Sequence, residues 1–143
     1  MVRVMATGVF DILHPGHLHF LRESKKLGDE LYVVVARDST ARKNGKRLVF
    51  NERIRLEIIS ELRMVDVAIL GHEGDIYRTV VEVRPDIITL GYDQKFSEAE
   101  IERNCRALGL NTRVVRISKY SNPDVESSSD VRKRILQLVG DGS

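Results

Sequence analysis

Two histidines flank a Pro-Gly turn at His14-Pro15-Gly16-His17, just after the apolar run Val2–Thr7. The tetrapeptide sits where a strand hands over to a helix. Unpaired N–H groups and the helix dipole attract anions at such a place. Two imidazoles there are able to donate hydrogen bonds to phosphate oxygens as charge builds on them. The residue types and their spacing point to chemistry at a nucleoside triphosphate.

The elements that must position these residues follow from the apolar pattern. Val2–Thr7 reads as a first strand and Gly16–Leu27 as a first helix. Glu30–Arg37, with its continuous Leu-Tyr-Val-Val-Val-Ala, predicts a buried parallel strand. Asp38–Phe50 reads as a polar, basic loop. Asn51 caps a helix running to about Arg63, with Ile54, Ile58, Ile59 and Leu62 expected on one face. A short strand at Asp66–Leu70 precedes a helix capped by Asp75 that stops near Pro85. Asp86–Leu90 is a fourth strand. Ser97 caps a helix to about Leu108, closed by Gly109. Thr112–Ile117 is a fifth strand, and Ser127 to Ser129 begin a last helix ending near Gly140. Such alternation predicts an α/β fold: a Rossmann-like, doubly wound sheet of about five parallel strands with helices on both faces. Ligands of such sheets bind beyond the carboxyl ends of the strands, where strand order reverses. The polar and glycine residues that follow each strand should converge there.

Bulk properties bound the function. The chain has 143 residues, which suits a single domain over 1–143 with a real core. Hydrophobic residues make up 42% and charged residues 31%, which marks a globular chain rather than a disordered one. The formal net charge of +2 is too small for general nucleic-acid binding. Cys105 is the one cysteine, so neither an internal disulfide nor a cysteine metal cluster forms within one chain, and helix packing is its expected role. No apolar run approaches the roughly 20 residues of a membrane span. Asp11 and His14 interrupt any signal-peptide pattern, so the expected location is the cytoplasm.

The motif, its position after a first strand, and the preceding Gly8-Val9-Phe10-Asp11 together resemble the HxGH nucleotidyltransferase superfamily, which includes cytidylyltransferases and adenylyltransferases. The resemblance runs over nearly the whole chain. It takes in Ala36-Arg37-Asp38-Ser39-Thr40, Arg55, Leu90-Gly91-Tyr92-Asp93-Gln94 and Ser127-Ser128-Ser129-Asp130-Val131-Arg132. By size and by the tract Val65 to Gly71, the chain is similar to glycerol-3-phosphate cytidylyltransferases and to archaeal-type FAD synthases. The tracts Val33–Asp38 and Leu90–Gln94, and Tyr120 before the last motif, are closer to the second group. The cytidylyltransferase tract Arg-Thr-Glu-Gly-Ile-Ser is replaced here by Asn122-Pro123-Asp124-Val125-Glu126-Ser127, which argues against CTP. A departure from the second group also exists: some of its members carry cysteines near the C-terminus, and this chain has none there.

The resemblance implies transfer of AMP from ATP to the phosphate of FMN, giving FAD and pyrophosphate. His14 and His17 would then hold the triphosphate and the α-phosphate oxygens. Gly8, Val9 and Phe10 would bring the main chain to the nucleotide, and Pro15 and Gly16 would shape the helix start. Asp11 either contacts the acceptor or holds its loop. Lys46 or Lys43, from the basic run Arg42–Arg47, would meet phosphates, and Arg55 would grip the acceptor phosphate or the triphosphate. Asp93 would accept hydrogen bonds from adenine or ribose, and Tyr120 would stack on or bond the nucleotide. Ser128, Ser129 and Arg132 would bind the β- and γ-phosphates. His19 and His72 read as surface residues. Mg²⁺ is expected with ATP, held by phosphates and water with no protein metal site. A homodimer is expected, with no nucleic-acid or membrane partner. The alternatives are a cytidylyltransferase acting on glycerol 3-phosphate, another sugar-phosphate nucleotidyltransferase, or a non-catalytic nucleotide-binding module.

Overall fold

The computed structural model describes residues 1–121 and 128–142, with side chains for 1–121 and 131–140. Its strands are β1 (Arg3–Gly8), β2 (Glu30–Val35), β3 (Val67–Leu70), β4 (Ile87–Leu90) and β5 (Arg113–Arg116). They form one parallel sheet in the order β3-β2-β1-β4-β5. The helices are α1 (Pro15–Lys25), α2 (Asp38–Lys43), α3 (Glu52–Ser60), α4 (Ile76–Val83), α5 (Glu98–Ala107) and α6 (Ser128–Gly142).

The strands are apolar on both sides because both sides are covered. Val4, Ala6, Leu31, Val33 and Val35 pack under Leu21 of α1 and Ile59 of α3. Met5, Val34, Ile88 and Leu90 pack under Val80 and Val83 of α4 and Cys105 of α5. A strand buried on both faces cannot alternate apolar with polar, which is why Leu31 to Val35 reads as an unbroken run. Ser24 fastens α1 to the sheet: its hydroxyl donates to the Phe20 carbonyl at 2.7 Å and lies 2.8 Å from the Thr89 hydroxyl.

The chain winds outward from β1 to β3, then crosses back to β4. The order therefore reverses between β1 and β4, and a crevice opens beyond their carboxyl ends. Gly8 pairs with Val35 and Ala6 with Thr89, so the loops after β1, β2 and β4 leave at the same edge.

The caps agree with the side chains expected. Asn51 accepts from the Ile54 N–H, Asp75 from that of Tyr77, and Ser97 from that of Glu100. Gly109 has φ +80°, the left-handed conformation that ends α5 at low cost. Two expectations need correction. The segment Asp38–Phe50 is not all loop, since Asp38–Lys43 forms α2. The buried side of α3 is not the Ile54/Ile58 side either. Ile54 and Ile58 are exposed, whereas Arg55 and Ile59 are fully buried. The helix is rotated to point an arginine inward, a choice that hydrophobic periodicity does not register.

Leu21 is fully buried at the centre of the first core. Leu21→Ala should lower stability by about 2–5 kcal/mol. Urea unfolding should show a reduced midpoint with an unchanged slope.

Candidate active site

His14 is the N-cap of α1, and Pro15 occupies the first helical position, where its missing N–H costs nothing. The His14 Nδ1 accepts from the Gly16 N–H at 3.1 Å, and the His17 Nδ1 accepts from the His14 N–H at 3.3 Å. This is a capping box built from two imidazoles. The rings stack with centroids 3.9 Å apart. Because each Nδ1 is an acceptor, a ring proton sits on Nε2. The pair thus presents two Nε2–H donors at a helix N-terminus. Burial, then the charges of His14 and Lys46, push the His17 pKa down from 6.5 to about 4. His17 is therefore neutral at physiological pH and acts as a hydrogen-bond donor rather than a cation.

Phe10 sets the other wall. Its backbone is left-handed, φ +54°, a strained conformation for a bulky residue. The strain turns its ring back over Gly8 and edge-on to His17, with centroids 5.6 Å apart. A Cβ at Gly8 would lie 2.7 Å from that ring. Gly8 thus makes room for Phe10 as well as ending the strand beside the crevice.

Arg55 is corrected most by the structure. The guanidinium that was expected on a substrate phosphate is fully buried. It donates to the Val9 carbonyl at 2.8 Å, the Ala36 carbonyl at 2.7 Å, the Phe50 carbonyl at 3.2 Å and the Asp38 carboxylate at 2.7 Å. Four of its five N–H donors are committed to protein. Burial raises the Asp38 pKa, but hydrogen bonding and charge from Arg55 outweigh this and hold the carboxyl below its usual value. Arg55 braces the ligand edge and does not enter the crevice.

Asp11 also holds a loop. Its two oxygens accept the N–H groups of Val49 and Phe50, each at 2.8 Å. Arg132 on α6 lies 3.4 Å from the same carboxylate and donates to the Arg47 carbonyl at 2.7 Å. Between Lys43 and Lys46, it is Lys46 whose charge is felt at His17. Its side chain is exposed.

The loops after β4 and β5 complete the edge. Asp93 is exposed, and its carboxylate turns back toward Gly91. Sequence reasoning overlooked Arg116, which donates to the carbonyls of Gly91, Gln94 and Phe96 and pairs with Glu98. It also left His19 at the surface. In the structure the His19 Nε2 lies 3.1 Å from the Ser118 carbonyl, and its ring is 5.6 Å from that of Tyr120. Tyr120 is thereby held against α1. His72 pairs with Glu82 at 2.8 Å. Ser128 and Ser129 open α6, but their side chains, and all of Ser127, lie outside the described residues.

Among the described residues no three His, Cys, Asp or Glu side chains form a metal cluster, and no helix is long and apolar enough to cross a membrane. The arrangement suits an anion with several oxygens: imidazole donors on α1, main-chain amides after β1, and exposed cations on the basic segment.

Comparisons with known proteins find relatives over nearly the whole chain. The cytidylyltransferase-like family model matches residues 5–134. The FAD synthase of Thermoplasma acidophilum is 67% identical over 141 residues, 99% of each chain. That of Picrophilus torridus is 66% identical over 137 residues, 96% of this chain and 98% of its own. A crystal structure of the lipopolysaccharide core biosynthesis protein from Thermoplasma volcanium has a TM-score of 0.83 at 69% identity, covering 85% of this chain and 99% of that one.

Arg55→Met should destabilise the protein by about 3–5 kcal/mol, because it strands the Asp38 carboxylate and three carbonyls. Arg55→Lys should rescue little, since one ammonium cannot reproduce the planar fork. Chemical denaturation of both variants checks this. His17 titrates near 6.5 when unfolded and near 4 when folded. The unfolded state therefore binds the extra proton between those values. Stability should fall as pH falls through that window, by at most about 3 kcal/mol, and this contribution should be flat above it. NMR titration of the His17 ring should show a neutral imidazole at pH 5.5. A midpoint near 6.5 would contradict the burial argument.

Proposed function

The chain belongs to the cytidylyltransferase-like family, and we propose that it is an FMN adenylyltransferase, making FAD and pyrophosphate from FMN and ATP. The observation that carries this reading is the near full-length identity to FAD synthases in a chain that keeps the paired, Nε2–H-bearing histidines.

In the reaction, an oxygen of the FMN phosphate attacks the α-phosphorus of ATP. A new P–O bond forms as the bond to the β-phosphate bridging oxygen breaks, and pyrophosphate leaves with that electron pair. Such a transfer asks for positioning and charge stabilisation rather than covalent help. The His14 and His17 Nε2–H groups donate to the oxygens on which charge grows. The neutrality of His17 matters, because a neutral donor needs no counter-ion in the resting site. Lys46 would follow the β- and γ-phosphates, and Ser128, Ser129 and Arg132, in the first turns of α6, would bind the same phosphates. Asp93 and Tyr120 take the base and ribose. Mg²⁺ bound with ATP would supply charge neutralisation at the phosphates. The carboxylate beside the motif, Asp11, is occupied by two amides and an arginine, so the metal would be held by phosphate oxygens and water. A cytoplasmic location and a homodimer belong to this reading through family resemblance alone.

Pyrophosphate release should be measured with ATP and CTP, each paired with FMN, glycerol 3-phosphate or a heptose phosphate. The expected active pair is ATP with FMN, with FAD as product. Turnover only with CTP would overturn the reading. His17→Asn keeps an acceptor for the cap but lacks the Nε2–H donor. It should fold normally and lose about 10²–10³ in kcat.

A further inference from the structure

Beside the basic segment lies an open concavity of about 290 Å³ with a lining more polar than apolar. Asp38, Arg42 and Asn51 contribute polar groups, and Leu48, Val49, Phe50 and Ile54 contribute apolar ones. We infer that this concavity holds the ring system of the acceptor, a flat heteroaromatic group with an apolar edge and an imide edge. The inference rests on the reading of FMN as acceptor.

Three observations support it. The first is continuity with the site. Val49 and Phe50 are held through their N–H groups by Asp11, three residues before His14. Phe50 and Asp38 are held by Arg55, which also holds the main chain after β1. The concavity and the histidine turn therefore share one set of braces. The second is exposure. Val49 is 61% exposed and Ile54 39%, although the segment that carries them is tied down at both ends. Apolar side chains held rigidly in the open, around a hollow, fit a ligand face. The third is the polar pattern. An imide offers one N–H donor between two carbonyl acceptors. Asp38 is an acceptor-only carboxylate, and Arg42 offers donors beside it. The volume is at the small end for ligand sites, enough for a ring system and too small for a whole dinucleotide.

A second concavity, more apolar and of about 330 Å³, lies along α4 and includes Val81 and Leu108. It faces away from α1 and α3, on the other side of the sheet, and serves as a control.

The test is a steady-state comparison of the wild type with a Val49→Ser/Ile54→Ser double variant. Both side chains are at the surface, so the fold should survive; circular dichroism confirms it. The expected result is a KM for FMN raised at least tenfold, with the KM for ATP within twofold. Riboflavin carries the ring without the phosphate. It should compete with FMN in the wild type and at least tenfold more weakly in the double variant. Val81→Ser/Leu108→Ser should leave both KM values unchanged. An unchanged KM for FMN in the first variant, an equal rise in both KM values, or a rise confined to the second variant would overturn the inference. Failure of the FMN reading itself looks different: the wild type would then form no FAD at all.

Discussion

A single buried guanidinium ties the ligand edge together. Arg55 joins the carbonyl after β1, the carbonyl after β2, the carbonyl before α3 and the carboxylate that opens α2. Each of these groups would otherwise be a main-chain or charged acceptor facing the inside of the protein without a donor. Burying a charge is costly unless every partner is in place. Here they are, and no buried side-chain polar atom among the described residues lacks a partner. The result is a rigid meeting point of three loops, so a strained residue such as Phe10 is held in its left-handed conformation by its surroundings.

The histidine pair depends on that rigidity. Each ring is oriented by a backbone N–H through Nδ1, and His17 is further packed against the Phe10 ring. Orientation and desolvation act together at His17: the first fixes which nitrogen carries the proton, and the second keeps the ring neutral. A surface histidine would titrate near neutrality and turn freely, and His17 does neither.

The fold was largely legible in the sequence, because it rests on patterns that repeat. Buried parallel strands read as apolar runs, and Asn51, Asp75 and Ser97 announced their helices. The residues of the ligand edge were also legible as a group, since α/β order alone sends them there. What escaped was nonlocal. The partner of Arg55 is Asp38, 17 positions away, and three other partners are carbonyls that no residue type reveals. None of these partners lies one helical turn from Arg55, where ion pairs on a helix are read from spacing. Arg116 and His19 were overlooked for the same reason, since both bond chiefly to main-chain oxygens. Short α2 was hidden by its charge, because a polar six-residue helix has too few turns to show a period.

The link between Arg132 and the loop after β1 has a consequence for how the molecule comes into being. Asp11 and Arg132 are 121 positions apart, and Arg132 also grips a carbonyl 85 positions earlier. A ribosome adding about 5–20 residues per second makes Arg47 several seconds before Arg132. Throughout that interval the nascent chain can assemble strands while the basic segment lacks its last fastening. The fastening between the basic segment and the loop after β1 thus waits for α6, and a chain made only as far as β5 does not yet carry it.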